Sequence, residues 1–221
     1  MELSNLRFWV SLCSELIFTV PIFFGIIAWA KLNSGLKLYI LFLVCCLGIN
    51  IISIMEFLNS KSHNFSSYYT IVECCFLFQV INFFLFERFK KIIHLVNFCC
   101  FIILFGDFFL KISIRNTFSS TLIHLAIFVL NLYYIKFNLL PEPKGETMSE
   151  LNLIVSVNLF LTYFLKTIFS FFTLFLLETN ANYYLYIQIE NFVNFFIIIL
   201  TVIVSWAFYQ FSKSNKGVVN E

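Results

Sequence analysis

Apolar residues in this chain run in long uninterrupted blocks, and the polar stretches between them are short. Seven blocks are long enough to cross about 30 Å of hydrocarbon, which takes about 20 helical residues. They lie near residues 8–30, 37–57, 67–87, 91–110, 119–138, 151–177 and 183–209. In lipid every backbone N–H and C=O must find a partner within the protein, and a helix satisfies each one inside its own segment. The pattern therefore predicts an all-α polytopic membrane protein: seven transmembrane helices in one domain over residues 1–210, with a short cytoplasmic tail at 211–221. Composition agrees, since 61% of residues are hydrophobic, 12% are charged and mean hydropathy is +0.92. A soluble domain would carry about 25% charged residues.

The first block could be misread as a signal peptide, because Ala28-Trp29-Ala30 has the small-x-small form of a cleavage site. The apolar run is too long for that and carries Glu15 and Pro21, so it is expected to remain as a span. Orientation follows from the loops. Arg7, Lys61, Lys111 and Arg115 fall on the side of the N-terminus, while Lys31, Lys37, Arg88, Lys90, Lys91, Lys136, Lys144, Lys213 and Lys216 fall on the other. The positive-inside rule then places the N-terminus outside and the C-terminus in the cytoplasm. Trp9, Trp29 and Trp206 lie near the predicted span ends, where interfacial aromatics belong. The connection from Leu139 to Glu150, with Pro141-Glu142-Pro143-Lys144-Gly145, reads as a polar linker. Little chain follows the last span, so any signal is expected to pass through a partner.

The polar residues inside the blocks carry the chemistry. Tyr69-Thr70-Ile71-Val72-Glu73 opens the third span, and Tyr186-Ile187-Gln188-Ile189-Glu190 opens the seventh, each with Tyr-x-x-x-Glu spacing. The likeness is explained either by an internal duplication in a three-plus-one-plus-three plan or by interfacial tyrosines recurring independently. An ionisable group within a span costs about 2.5 to 3.5 kcal/mol on insertion scales, so it is expected to face the bundle interior and to have a partner. Glu15, Glu73, Asp107, His124 and Glu190 all fall in the outer half of the bilayer, and Glu15, Glu73 and Glu190 lie roughly 10 Å deep at 1.5 Å per residue. Lys166 lies near the middle of the sixth span. These six form a candidate polar pocket, with Tyr69, Tyr186 and Asn194 in support. Ion pairing of Lys166 with Glu73 or Glu190 is the expected arrangement.

Helical spacing adds polar stripes: Tyr183, Tyr186, Glu190, Asn194, Thr201 and Ser205 in the seventh span, Thr162, Lys166, Ser170 and Thr173 in the sixth, and Ser120, His124 and Asn131 in the fifth. Such stripes also serve as hydrogen-bonding glue between helices. Seven cysteines, six of them in adjacent pairs within apolar blocks, have no CxxC spacing and read as small packing residues. No metal site or cofactor is expected. The chain has three histidines on separate elements, one aspartate and no GxSx nucleophile motif, so a ceramidase-type hydrolase, an intramembrane aspartyl protease and a rhomboid-type protease are all disfavoured.

The Tyr69-to-Glu73 motif and the Asn-rich start of the seventh span resemble those of small uncharacterised bacterial seven-helix integral membrane proteins. The plan is also similar to the seven-helix input modules of bacterial sensor kinases, without an output domain. That resemblance implies residence in the bacterial inner membrane. SWEET-type sugar transporters share the size and plan, but their helix prolines are missing here. The expected function is a sensor or receptor-like module binding a small solute, a cation or amine given the excess of carboxylates, in an outward-facing polar pocket; the alternative is a small secondary transporter or proton-coupled carrier. Expected partners are the bilayer, a small-molecule ligand and a membrane or cytoplasmic signalling protein, with no nucleic acid.

Overall fold

The computed structural model describes residues 9–10, 12–14, 16–58, 66–84, 87–110, 113–139, 150–178 and 183–214. Among them the chain is helical almost throughout and has no strand. The helices are α1 (Thr19–Ile27), α2 (Ser34–Leu58), α3 (Ser66–Phe84), α4 (Glu87–Leu110), α5 (Ser113–Leu139), α6 (Glu150–Glu178) and α7 (Tyr183–Lys213), with a short 3₁₀ turn at Trp29–Lys31. Four of them, α2, α5, α6 and α7, contain segments long and apolar enough to cross a membrane; α1 and α3 contribute the shorter apolar stretches Leu12–Ile27 and Tyr68–Phe84. Helix α7 continues to Lys213, beyond the boundary expected from hydropathy alone.

The first block differs from a single continuous helix. Pro21 has no N–H to give Ile17 O, and its ring crowds the carbonyl four residues back. Ile17 O instead accepts from Val20 N at 3.2 Å, and the helix is interrupted by a turn at Ile17 and Phe18. Helix α1 proper starts at Thr19, so Pro21 sits in its first turn, the part of a helix where a missing N–H is best tolerated.

Six helices close a ring in which α1 packs on α2, α2 on α3, α3 on α5, α5 on α6, α6 on α7 and α7 on α1; α4 lies against α3 and α5. Helix directions can be read from ring contacts. Phe24 meets Tyr209 at 5.1 Å while Lys31 reaches Ser212 and Ser214, so α1 and α7 run parallel. Glu73 meets His124 and Phe84 meets Tyr134, so α3 and α5 run parallel too. Phe128 stacks on Phe160 at 5.0 Å while His124 meets Ser170, so α5 and α6 are antiparallel. Lys31, Lys37, Lys136 and Lys213 consequently gather at one end of the bundle.

That end is closed by polar contacts. Lys31 Nζ donates to Ser212 O at 3.1 Å and to Ser214 O at 2.7 Å, supplying a cation and two donors to the carbonyls at the α7 C-terminus. Asn33 Oδ1 accepts from Leu36 N at 2.9 Å, the N-cap bond of α2, while Asn33 Nδ2 donates to Asn152 Oδ1 at 3.2 Å on α6. Close approach is set by glycine: a Cβ at Gly25 would lie 2.7 Å from Ile40 Cγ1, so α1 and α2 meet only because none is there.

Burial keeps an apolar core, with Leu36, Leu77, Phe78, Ile123 and Phe208 all 0% exposed, but departs from that of a soluble domain at the surface and at a few polar positions. Phe23, Leu95, Phe98, Phe175 and Trp206 are each 60% exposed or more, whereas Glu73 is 2% exposed and Asn131 0%. Large apolar side chains on the outside and a carboxylate inside suit a hydrocarbon surround, where exposing Phe costs nothing and exposing a charge costs several kcal/mol.

Candidate functional site

Glu73 lies on α3, the helix contacted by α2, α4 and α5, and nearly every residue from Thr70 to Ile81 on its inner side is buried. Its carboxylate is held by three donors from two other helices. Oε1 accepts from Lys166 Nζ at 2.5 Å and from Tyr163 OH at 2.8 Å, both on α6. Oε2 lies 3.1 Å from His124 Nε2 on α5. Behind the imidazole, His124 Nδ1 is 3.5 Å from Ser170 Oγ. With the neutral ring protonated on Nε2, His124 donates to Glu73 and can accept from the Ser170 hydroxyl.

Local helix geometry brings these groups together. Tyr163, Lys166 and Ser170 are spaced at i, i+3 and i+7, so one face of α6 presents a phenol, an ammonium and a hydroxyl on successive turns. The Lys166 ammonium also lies 4.9 Å from the centre of the Tyr163 ring, and the His124 and Tyr163 rings are 5.5 Å apart. Thr167 Oγ1 donates to Tyr163 O at 2.6 Å, which keeps that threonine's polarity within its own helix. From α3, Tyr69 OH reaches Cys46 O on α2 at 3.1 Å, tying the cluster's helix to the next one round the ring.

Of the residues expected in a polar pocket, the structure therefore joins Glu73, His124 and Lys166, and it selects Glu73 rather than Glu190 as the partner of Lys166. Tyr69 is one turn from Glu73 on the same helix. Tyr186 packs its ring 5.6 Å from Phe169 of α6, and Glu190 and Asn194 are half-buried on α7; none of the three is among the groups that hold Glu73. Asp107 is on α4, but its side chain lies outside the described ones, and Glu15 lies outside the described residues altogether. Two members of the α7 stripe are self-contained: Thr201 Oγ1 donates to Ile197 O and Ser205 Oγ to Thr201 O, each at 2.7 Å.

Tyr163 is the member that the sequence reading missed. The chain holds ten tyrosines, most near span ends, and Tyr163 was hidden among them. Its signal was its position: a phenol in mid-span cannot reach the interface and must find an acceptor inside, and it sits one turn from the lysine.

No protein-family model, curated protein or solved structure matches the chain. Among the described residues no three His, Cys, Asp or Glu side chains converge as a metal ion would require, and the cysteines are free thiols. What the cluster does hold is one compensated charge pair that fastens α3 to α6, with an imidazole as a third point on α5. Removing or neutralising either charge would strand the other in a low-dielectric interior, so the arrangement is stable when complete and responsive to anything that competes for Lys166.

Leu161, Phe164, Ile168, Phe171, Phe172 and Phe175 are exposed and mark the outer face of α6. At about 100° per residue, Lys166 lies roughly 160° from the middle of that face. Its side chain is nonetheless 28% exposed, although it leaves α6 on the side opposite the face that would meet lipid.

Proposed function

We propose that this chain is a seven-span protein of the bacterial inner membrane, N-terminus outside and C-terminus in the cytoplasm, acting as a sensor or receptor-like module for a small solute. All seven helices cross in this reading, including α1, α3 and α4. The alternating helix directions support it, as does the gathering of Lys31, Lys37, Lys136 and Lys213 at the end assigned to the cytoplasm. The solute enters from the outer side and is read at the cluster of Glu73, His124, Tyr163 and Lys166. The observation that carries the reading is that a buried carboxylate on α3 is held by an ammonium and a phenol from α6 and an imidazole from α5, while the lysine side chain is 28% exposed. A solute that captures Lys166 loosens α6 from α3, and the change travels along α6 and α7 to a partner at the cytoplasmic end. A ligand shifts such an equilibrium only by its differential affinity for the two arrangements, and competition for a single ammonium supplies that difference.

A second reading, a small secondary carrier, is favoured by one observation: buried polar side chains continue past the cluster toward the lysine-rich end, with Asn131 and Ser156 0% exposed and Asn158 8%. Binding and flux separate the two. Saturable binding to purified protein, without uptake into proteoliposomes of the same protein, supports the receptor reading. Uptake abolished by Glu73→Gln supports the carrier.

A further inference from the structure

The composition, with carboxylates outnumbering lysines in the spans, points to a cationic ligand. The geometry points the other way. Glu73 is 2% exposed, His124 12% and Lys166 28%, so the lysine is the most exposed of the three and the carboxylate the least. A cation arriving there meets like charge. It would also have to displace donors that already occupy both carboxylate oxygens at 2.5, 2.8 and 3.1 Å.

Lys166 carries three N–H donors and gives one to Glu73. The other two meet no acceptor among the described residues, and the side chain that carries them is 28% exposed. His124 and the Ser170 hydroxyl stand beside it. The imidazole N–H is already given to Glu73 and the hydroxyl faces the imidazole, so the two unused N–H groups of the ammonium are the donors left for a carboxylate, and charge-assisted bonds to ionised oxygens are roughly twice as strong as neutral ones. Glu73 meanwhile is a fixed negative charge behind the lysine. It keeps Lys166 in place without a ligand and weakens any second anion that binds.

We infer that the solute is a small water-soluble carboxylate, bound by the free donors of Lys166, with Glu73 acting as a tethered counter-ion that holds the site's affinity down. This rests on the solute-binding reading above, and it reverses the cationic ligand that composition suggests. The inference makes an unusual demand: removing a site carboxylate must tighten binding. Glu73→Gln keeps the side-chain shape and an acceptor for Tyr163, but removes the competing charge.

The test is isothermal titration of the full-length, detergent-solubilised protein at fixed ionic strength in sodium chloride, with sodium acetate and sodium succinate as one series and methylammonium and choline chloride as the other. Saturable heats are expected from the carboxylates, absent in Lys166→Met, retained in Lys166→Arg, and shifted to about tenfold lower Kd in Glu73→Gln. If Glu73→Gln does not yield monodisperse protein, Glu73→Asp, whose shorter side chain holds the lysine less closely, is expected to shift Kd in the same direction. Carboxylate binding that weakens in both Glu73 variants overturns the counter-ion role and leaves the solute site standing. Saturable binding of the amines alone overturns the anion assignment but keeps a solute site. Failure of both series to bind overturns the two together.

Discussion

Lys166→Met is the substitution whose effect the geometry defines best. The side chain fills nearly the same volume, so packing changes little, but the buried carboxylate loses its counter-ion. Glu73 would then be left 2% exposed with only Tyr163 OH at 2.8 Å and the imidazole at 3.1 Å. Breaking a buried pair from one side typically costs about 3 to 5 kcal/mol, because the surviving charge stays desolvated. Here the low end applies, since Tyr163 and His124 both remain in hydrogen-bonding reach of the carboxylate. A loss of about 3 kcal/mol corresponds to a Tm lower by about 6 to 12 °C for a chain of this size. Adding Glu73→Gln to Lys166→Met removes the stranded charge, leaving an amide that Tyr163 and His124 can still bond. The double variant should therefore recover part of the loss, with a coupling of about 2 kcal/mol. Thermal unfolding of the detergent-solubilised protein, wild type and three variants in parallel, measures the cycle. Lys166→Met melting within about 1 °C of wild type, with no coupling to Glu73→Gln, would refute the argument that this pair is desolvated and mutually dependent.

Three further outcomes are expected. Tyr163→Phe removes one bond to a charged acceptor in a buried site and should cost about 1.5 to 3 kcal/mol, read by the same melting assay; an unchanged Tm would mean that the phenol does not hold Glu73. Gly25→Val forces a side chain into Ile40 and should lower stability by about 1 to 3 kcal/mol, and Ile40→Ala should relieve part of that loss if the α1–α2 approach is as close as it stands here. In a cysteine-free background, Ser62→Cys should react with an impermeant maleimide added to intact cells, and Ser212→Cys only after permeabilisation. The opposite pattern would invert the orientation and with it the side from which solute enters.

The helices were legible in the sequence because hydrocarbon leaves the backbone no alternative, and long apolar blocks state where that solvent is. The Lys166–Glu73 pair was legible for a related reason. A charge in an apolar block must be compensated, and few opposite charges lie at its depth. What spacing could not show was which carboxylate would be chosen, because that depends on how α3, α5, α6 and α7 are arranged around the ring. Glu190 has the same local motif as Glu73 and a similar depth, yet it stands on a different helix and is not among the groups in contact with Lys166. The position of α4 outside the ring was likewise invisible, since its block of apolar residues resembles the others. Pro21 did announce a local effect, but the switch from a continuous helix to a turn at Ile17 and Phe18 needed the hydrogen bond from Val20 to be seen. Tyr163 went unnoticed because a chain that is 20% aromatic offers many tyrosines and only one in this place.

The account turns on a polar interior that is open to the outer aqueous phase beside Lys166, and accessibility of one position on α6 tests it directly. Thr173 lies two turns from Lys166 on the same face and nearer the outer end, whereas Phe171 is 53% exposed on the face assigned to lipid. With the seven native cysteines replaced, Thr173→Cys should be modified by a charged, membrane-impermeant thiol reagent applied to intact cells, and Phe171→Cys should not. Modification of Phe171→Cys with Thr173→Cys untouched would place water on the wrong face of α6 and contradict the outward-facing site.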